Sequence, residues 1–561
     1  MPLVSLIQYK TAEDGSFSSP FALVRDGWDD YGFKTTYTLY AKLDDQPTLI
    51  GSLKAMRLAE GANYSQEIDS SFDQLGDDFI SVGNSLDYYE RLNEIEPSLR
   101  DKVLEALQDA VFLPGRIEQF RDSQAWSTSL FRGSSSTGQP RAAQDAFLRD
   151  AAAILTRNFT ELADLSTEFS FTPTGWTSSF LISYNAPSVG DPKMDFPLET
   201  RERLAMPRRL AILIGRNGAG KSTLLARLAR VAHASPQDRL SAEIRELGTL
   251  EPPGLGFMRI IAVSYSAFDS FALPGRTLGE LKQIANDVER DEGRYIFSGL
   301  RDIVAEVRED IERFRVDNPD AQDNMNLPAD DRRPTTKLKS LEALAVEFSG
   351  LLERINQEKD RRECLDEALE PILADPSFRE LEESTIGALV GDDAKSAFLS
   401  WSTGHKIILH VIASIVAHAT PRSLLLFDEP ETHLHPPLVA ALMAGVRTAL
   451  EKQNAFGVIA THSPVVLQES LSRHVRIIER MGEAASIRTP SNETFGENIG
   501  ALVYDTFGLT SGATDFHNVL DQLIEASDSV EEIDAYFTPG LSAQARAYVM
   551  SRLAEKPSAD G

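Results

Sequence analysis

Three short apolar runs set the framework of the chain. They are RLAILIG from Arg209, RSLLLFD from Arg422 and AFGVIA from Ala455, and each ends at glycine or polar residues. Runs of this length bounded by such residues are typical of buried strands. Helical spacing follows the first run, from Ser222 to about His233, and dominates the charge-rich stretch between residues 276 and 395. The pattern therefore predicts an α/β fold with a large, mostly helical insertion.

The N-terminal part has a mixed pattern. FKTTYTLYAKL from Phe33 and FSFTPTGWTSSFLISY from Phe169 favour strands, whereas residues 85–131 have helical spacing. GSSSTGQP has the composition of an exposed loop, and APSVGDPKMDFP that of a linker. We therefore expect the following five units: a mixed α/β lobe at 1–190, a P-loop part at 191–275, the helical insertion at 276–395, a second core part at 396–505 and a small helical region at 506–561.

Composition limits the setting of the protein. The 561 residues contain one cysteine, Cys364, so an intrachain disulfide is impossible. The first residues do not have the pattern of a secretory leader, and the apolar run from Ile407 is too short to span a bilayer. We therefore expect a cytoplasmic protein without membrane contact. The formal net charge of −29 opposes general attachment to DNA, although it leaves room for a local basic groove.

The strongest chemical signal is GRNGAGKST, which lies between a predicted strand and a predicted helix. Its glycines let backbone N–H groups surround phosphate oxygens, Lys221 reaches the β- and γ-phosphates, and Ser222 binds Mg²⁺. The sequence thus predicts an ATP and Mg²⁺ site with the following binding residues: Gly215, Arg216, Asn217, Gly218, Ala219, Gly220, Lys221, Ser222 and Thr223.

Adjacent carboxylates end the second apolar strand. In a P-loop protein, Asp428 would hold Mg²⁺ and Glu429 would polarise the attacking water. The alternative is a separate nuclease metal site that combines these two carboxylates with His433 and His435. We prefer the nucleotide interpretation and assign the two histidines a structural role in the loop.

Two further motifs accompany the acidic pair. His462 follows the third apolar strand, where it can hydrogen-bond a γ-phosphate. In LSWSTGHK, Ser402 and Gly404 precede a helix that we expect to begin at Ile407, and they would form an anion site at its start.

The order GRNGAGKS, WSTGHK, LLLFDEP and THS resembles the ABC-type ATPase heads of SMC-like, RecF-like and OLD-like proteins. This resemblance implies a head-to-head oligomer in which Ser402 and Gly404 complete the ATP site of another copy. It also implies that Glu429 is the catalytic base, that His462 is the switch histidine, and that Lys221 takes part in catalysis.

A finer resemblance adds a biological setting. RDGWDDYGFKTTYTL, VSYSAFDSF and ETFGENIGALVYDTFGL are similar to the PtuA-type ATPase of Septu and retron antiphage defence systems. VSYSAFDSF lacks the glutamine expected between the P-loop and the signature, and the adenine-stacking residue is unassigned. Trp28, Tyr37 and Trp176 are interpreted as packing residues, with a partner surface as the alternative.

No nuclease pattern is evident in the sequence. Only 99 residues follow His462, and Glu479 after VRIIER is not followed by the Asp-x-Asp of a Toprim domain. The favoured hypothesis is an ATPase subunit that controls a partner effector nuclease in antiphage defence. The alternative is a RecF- or SMC-like ATPase that acts directly on DNA in repair or recombination. A transporter head is the third option, which the DEPETHLHP form and the large insertion disfavour.

Overall fold

The computed structural model describes most of the chain. The described residues are 2–13, 15–27, 32–43, 46–58, 68–132, 138–159, 168–183, 208–236, 238–267, 269, 272–275, 277–319, 325, 333, 336–379, 387, 389, 393–482, 484–507 and 515–555. The predicted linker at 186–197, most of the loop at 133–140 and Trp28 lie outside them.

The described elements alternate between strands and helices over much of the chain. The strands are β1 (Val4–Ile7), β2 (Phe21–Arg25), β3 (Thr36–Leu43), β4 (Gln46–Arg57), β5 (Ser71–Phe72), β6 (Phe79–Gly83), β7 (Glu168–Pro173), β8 (Phe180–Ser183), β9 (Leu210–Gly215), β10 (Gly248–Glu251), β11 (Ile260–Ser264), β12 (Tyr295–Gly299), β13 (Leu424–Asp428), β14 (Phe456–Thr461), β15 (Val475–Met481) and β16 (Ala484–Arg488). The α-helices are α1 (Tyr9–Glu13), α2 (Leu86–Leu92), α3 (Pro97–Ala106), α4 (Ile117–Phe120), α5 (Arg141–Thr156), α6 (Lys221–His233), α7 (Ala242–Arg245), α8 (Leu278–Glu289), α9 (Ile303–Asp317), α10 (Leu341–Gln357), α11 (Lys359–Leu373), α12 (Pro376–Arg379), α13 (Ala394–Ser400), α14 (Thr403–His418), α15 (Pro436–Lys452), α16 (Pro464–Gln468), α17 (Ile499–Phe507), α18 (Asp515–Ala526), α19 (Val530–Asp534) and α20 (Ala543–Glu555).

The N-terminal lobe is built on a mixed sheet. Its described strands follow the order β5-β1-β2-β3-β4-β6, in which β1 and β2 are parallel and the other neighbours antiparallel. The strand predicted from Phe33 is β3, which begins at Thr36. Helix α2 packs on β4 and against α5, and large aromatic side chains such as Tyr37, Phe120 and Trp126 fill this core. Tyr37 is therefore a packing residue, as predicted.

The P-loop part of the chain belongs to a second, largely parallel sheet. The described strands run in the order β12-β11-β13-β14-β9-β15-β16, and among them β15 and β16 form the antiparallel pair. Every residue of β9, β13 and β14 is buried, which explains their uninterrupted apolar sequences. Because β14 lies between β9 and β13, the three motif-bearing strands end at one edge of the sheet.

A small antiparallel sheet accompanies the core. Its described strands follow the order β10-β7-β8, and the turn between β7 and β8 reaches β16 through a bridge from Trp176 to Ala485. The stretch FSFTPTGWTSSFLISY therefore forms strand structure, as predicted, in the two strands β7 and β8.

Helices fill much of the segment between residues 276 and 395, as the periodicity indicates. Helix α10 packs on α13 and α14, and α11 packs on α15. The sequence did not predict β12, which lies within this segment and pairs with β11 at the edge of the central sheet. The segment therefore also supplies an edge strand to the core.

The chain divides into two compact units, residues 1–496 and 497–561. In the second unit the described helices α17–α20 include a small core formed by Leu520, Ile524, Ile533 and Val549. Among the described residues of the whole chain, we find no helix with the length and hydropathy needed to cross a bilayer.

Candidate functional site

The turn between β9 and α6 has the backbone geometry of a phosphate cradle. Gly218 and Gly220 have φ of +79° and +102°, in the left-handed region that favours glycine. The residues from Arg216 to Gly218 are exposed, and a Cβ added to Gly218 would meet no atom within 4 Å. The exposed part of the turn therefore has room for a ligand beside its N–H groups.

Lys221 begins α6 and lies beneath this turn. Its Nζ donates hydrogen bonds to the carbonyl oxygens of Gly215 and Arg216, at 2.9 and 3.3 Å. Burial lowers the pKa of the Lys221 ammonium, while the carboxylates of Glu429, Asp428 and Glu431 oppose that shift. The ammonium therefore lies between a carbonyl-lined turn and a group of acids, where phosphate oxygens would be further acceptors.

Ser222 and Asp428 form the predicted metal pair. The Ser222 hydroxyl donates to Asp428 Oδ1 at 3.2 Å, which joins α6 to the end of β13. Burial raises the pKa of Asp428 to about 7; the Ser222 hydrogen bond opposes this shift, and the negative charges of Asp269 and Glu429 add to it. A hydroxyl and a buried carboxylate are oxygen ligands of the kind that Mg²⁺ takes, and a cation would favour the ionised carboxylate. The residues therefore fit the predicted ion.

Glu429 and His462 meet across the ends of β13 and β14. His462 Nδ1 lies 3.6 Å from Glu429 Oε1 and 3.0 Å from Glu431 Oε1. Glu429 has φ of +51°, and its N–H donates to the carbonyl oxygen of Ala460 at 2.8 Å. The structure thus brings together the residue predicted as base and the residue predicted as switch.

Glu431 is a site residue that the sequence analysis did not single out. Its Oε1 accepts hydrogen bonds from the Thr461 hydroxyl at 2.8 Å and from the His462 N–H at 2.7 Å. The hydrogen bond to Glu431 raises the pKa of His462, although burial opposes the shift. The polar sequence around Glu431 does not show this contact, because the two loops meet only through the pairing of β13 with β14.

The signature motif begins α14 four residues earlier than predicted. The helix starts at Thr403 rather than Ile407, with Ser402 as its N-cap, and the Ser402 Oγ accepts from the His405 N–H at 3.4 Å. Ser402 is exposed, so N–H groups of the first helical turn lie near the surface. A Cβ on Gly404 would lie 3.3 Å from Leu434 Cδ2, so the helix start packs closely on the loop after β13.

The two histidines of that loop lie beside the signature helix. The carbonyl oxygen of His433 would be 3.5 Å from a Cβ on Gly404, and His433 has φ of +65°. His435 is the N-cap residue of α15, and it interacts electrostatically with His405. Among the described residues, no group of three or more histidine, cysteine, aspartate or glutamate side chains is arranged to hold a metal ion.

Trp176 borders the P-loop. A Cβ on Gly220 would lie 3.3 Å from Trp176 Cζ2, and the side chain is half-buried. Sequence alone did not connect residues 44 positions apart. Their proximity arises because the β7–β8 turn is held at β16, where the Thr177 hydroxyl and N–H both contact the Ala485 carbonyl oxygen.

The end of β11 and the segment after it have the sequence VSYSAFDSF, which lacks the glutamine expected between the P-loop and the signature. This stretch contains a carboxylate, Asp269, near the site. Asp269 is buried, and Arg301 Nη1 lies 3.5 Å from its Oδ1. Arg301 also pairs with Glu306 at 2.6 Å, and the negative charge of Asp269 contributes to the raised pKa of Asp428. A buried ion network thus adjoins the site.

Comparisons with known proteins find one family model and one relative that the chain resembles. Residues 210–468 match the family model described as "AAA domain, putative AbiEii toxin, Type IV TA system". The chain is 29% identical over 519 residues to Protein ea59 of Escherichia phage lambda, and the match covers 91% of this chain and 90% of that protein.

Two solved structures are also similar over part of the chain. One is titled "An inward-facing conformation of a putative metal-chelate type ABC transporter" (14% identity, 59% of this chain, 84% of that chain, TM-score 0.24). The other is an SMC head bound to the C-terminal winged-helix domain of ScpA (12% identity, 57% of this chain, 96% of that chain, TM-score 0.24). Both TM-scores are too low to support a fold assignment, which therefore rests on strand order and motif placement. On that basis, the core of this chain is an α/β domain of the P-loop ATPase type with helical insertions.

Proposed function

We propose that the protein hydrolyses ATP in composite sites formed between two copies of the chain. The observation that carries this proposal is the convergence of the P-loop, Asp428, Glu429 and His462 at one sheet edge. The exposed Ser402 at the start of a separate helix supplies the surface that a second copy would need.

In this proposal the P-loop and Lys221 bind the phosphates. Lys221 would exchange its bonds to the Gly215 and Arg216 carbonyls for bonds to phosphate oxygens, which are stronger acceptors for a cation. Ser222 and Asp428 would hold Mg²⁺, which neutralises charge that develops on the transferred phosphoryl group.

Glu429 would accept a proton from the attacking water. The water oxygen forms a bond to the γ-phosphorus while the bond to the bridging oxygen breaks, so that ADP and phosphate leave. His462 would donate to a γ-phosphate oxygen, and its contact with Glu431 favours the protonated, donor-rich form.

Ser402 and Gly404 would act on the ATP bound by another copy. A helix start with free N–H groups favours an anion, and Ser402 is exposed there. The loop from Glu429 to Leu434 runs from the proposed base to the support of Gly404. Through this loop, hydrolysis beside Glu429 of one copy would alter the position of Ser402 and Gly404 in the same copy. These two residues would contact the ATP that the other copy binds.

The proposed partner is suggested by the resemblance of the sequence to PtuA-type ATPases. We propose that paired heads control an effector nuclease subunit, in the manner of Septu and related antiphage systems. A phage-challenge assay with and without neighbouring genes is the direct test of that setting. The alternative, direct action on DNA, predicts DNA-stimulated turnover by the isolated chain, and the charge of −29 disfavours it.

Glu429→Gln tests the enzymatic proposal. We expect it to lower ATP turnover by at least about 100-fold, because a general base contributes that much, while ATP binding is retained. With ATP and Mg²⁺ the variant should elute as a dimer in size-exclusion chromatography with light scattering. Unchanged turnover would remove Glu429 as the base, and a monomer at saturating ATP would contradict the composite site.

A further inference from the structure

A chain of hydrogen bonds leads from Ser402 into the protein. Ser402 Oγ lies 3.0 Å from His405 Nδ1, and His405 Nε2 lies 3.2 Å from Ser377 Oγ. Ser377 Oγ in turn lies 2.6 Å from Asp375 Oδ1, which also accepts from the Ser377 N–H at 2.9 Å. His405 is 8% exposed, so these partners account for both ring nitrogens in a largely dry setting.

Elementary hydrogen-bond chemistry fixes the direction of every proton in this chain. An ionised Asp375 can only accept, so the Ser377 hydroxyl donates to it. Ser377 Oγ must then accept from His405 Nε2–H. In a neutral imidazole the other nitrogen carries no hydrogen, so Nδ1 accepts the Ser402 hydroxyl proton.

This direction has a cost for anion binding. The hydroxyl proton of Ser402 points to His405, and one of its lone pairs receives the His405 N–H. What Ser402 offers outward is its remaining lone pair, which does not attract a phosphate oxygen. To donate to phosphate, the hydroxyl must leave Nδ1 without its partner.

We propose that His405 is a positioning residue that sets the direction of the Ser402 hydroxyl proton and thereby the strength of the trans ATP site. When His405 takes a proton from solvent, Nδ1–H donates to Ser402 Oγ and the hydroxyl proton is released toward phosphate. This inference rests on the composite site proposed above, and it adds a dependence of head pairing on pH.

The surroundings of His405 determine where this change occurs. Burial lowers the pKa of His405; the Asp375 carboxylate opposes that shift and His435 adds to it. The Phe378 ring packs against the imidazole at 4.2 Å, and Lys406 turns away to the Trp401 carbonyl oxygen. His405 is therefore neutral at pH 7.5, and it gains its proton only at a pH below the ordinary range of histidine. Pairing should strengthen as the pH falls toward that point.

The test uses the full chain in the Glu429→Gln background, so that hydrolysis does not intervene. The ATP concentration for half-maximal dimerisation is measured by light scattering from pH 5.5 to 8.0, with and without His405→Gln. Glutamine can keep the donor to Ser377 while no acceptor remains at the Nδ1 position. At pH 7.5 we expect His405→Gln to need about fivefold less ATP, the equivalent of one neutral hydrogen bond.

The ratio between the two proteins is the decisive quantity. Asp428 and His462 also titrate, but they are present in both, so their effects cancel in the ratio. We expect a ratio near five at pH 7.5 that decreases steadily as the pH falls toward 5.5. A ratio that does not change with pH, or a variant that needs more ATP at every pH, would overturn the inference.

Ser377→Ala provides a second, more conservative variant. It removes the acceptor that holds the proton on Nε2, so the imidazole can carry its hydrogen on Nδ1 and release Ser402. We expect a shift in the same direction at pH 7.5 from a protein that still unfolds in one cooperative thermal transition. No shift in a folded Ser377→Ala protein would contradict the proton chain. If the Glu429→Gln parent itself never pairs with ATP, the composite site fails, and this inference fails with it.

Discussion

Lys221 is the residue whose surroundings most depend on a ligand. Its ammonium donates to two carbonyl oxygens, and burial lowers its pKa in spite of three nearby carboxylates. Phosphate oxygens would be stronger partners for it. The energetic value of this residue should therefore appear in ATP binding.

Lys221→Ala should weaken ATP binding by about 100-fold, the size of one or two charged hydrogen bonds. Isothermal titration calorimetry with a non-hydrolysable ATP analogue measures this directly. Lys359→Ala is the matched control, because Lys359 is an exposed lysine that pairs with Glu363 within α11 at 3.3 Å. Equal affinity in the two variants would remove Lys221 from the site.

Glu431 gives a prediction with a defined sign. Its hydrogen bond is the main cause of the raised pKa of His462, so Glu431→Gln should bring that pKa down toward its ordinary value. His462 would then lose its proton at lower pH, and the alkaline limb of the ATPase profile should move to lower pH.

The direct measurement is an NMR titration of the His462 ring, assigned with His462→Gln. Glu479→Gln is the control, since Glu479 is exposed on β15 and pairs with Arg488. A pKa of His462 that is unchanged in Glu431→Gln would show that another group sustains it.

At this scale the sequence located the residues with distinctive spacing. Lys221, Ser222, Asp428 and His462 carry the motif and lie together as that motif requires. Trp176 and Glu431 could not be found in the same way, since each reaches the site through strand pairing between distant segments. Asp269 was not predicted either, because its segment, VSYSAFDSF, lacks the glutamine that is expected between the P-loop and the signature.

The elements were more predictable in kind than in extent. The apolar runs correctly predicted β9, β13 and β14, because these strands are buried on both faces. β12 was missed because its five residues lie in a charge-rich stretch whose periodicity is helical. Helix α14 begins at Thr403, directly after its N-cap residue Ser402. The prediction placed the start at Ile407 instead, where the apolar run begins.

Helix packing gives a prediction at this scale. Helices α11 and α15 cross closely at Gly445, where a Cβ would lie 2.5 Å from the Ala368 carbonyl oxygen and 3.1 Å from Ile372 Cδ1. Gly445→Ala should therefore destabilise the first unit by about 1–3 kcal/mol through overpacking. Urea unfolding followed by tryptophan fluorescence measures the change.

Gly350→Ala is the matched control for that experiment. Gly350 lies in α10, is exposed, and would place a Cβ with no atom within 4 Å. We expect this substitution to raise stability by about 0.5–1 kcal/mol, because alanine is the better helix former. Equal shifts for the two glycines would contradict the close crossing of α11 and α15.

At the scale of the whole molecule, the proposed site has two halves on different elements of the chain. The P-loop, Asp428 and His462 lie at the ends of three parallel strands, whereas Ser402 is the N-cap of helix α14. The five predicted units remain a working division, and the contacts separate residues 1–496 from 497–561. Sequence periodicity set residues 276–395 apart as a separate helical unit, whereas β12 joins that segment to the central sheet.

The mixture of two damaged proteins tests the composite site most directly. Lys221→Ala and Ser402→Glu are each expected to be inactive, because the first removes the phosphate-binding ammonium and the second places a carboxylate where the γ-phosphate of the partner's ATP would lie. In an equal mixture, half of the dimers should be mixed, and each should hold one intact and one doubly damaged site.

ATP turnover is therefore measured for each protein alone and for the equal mixture. We expect recovery to about a quarter of the parent rate, as an isologous pair requires. No recovery above the single variants, under conditions in which mixed dimers are shown to form, would contradict the account.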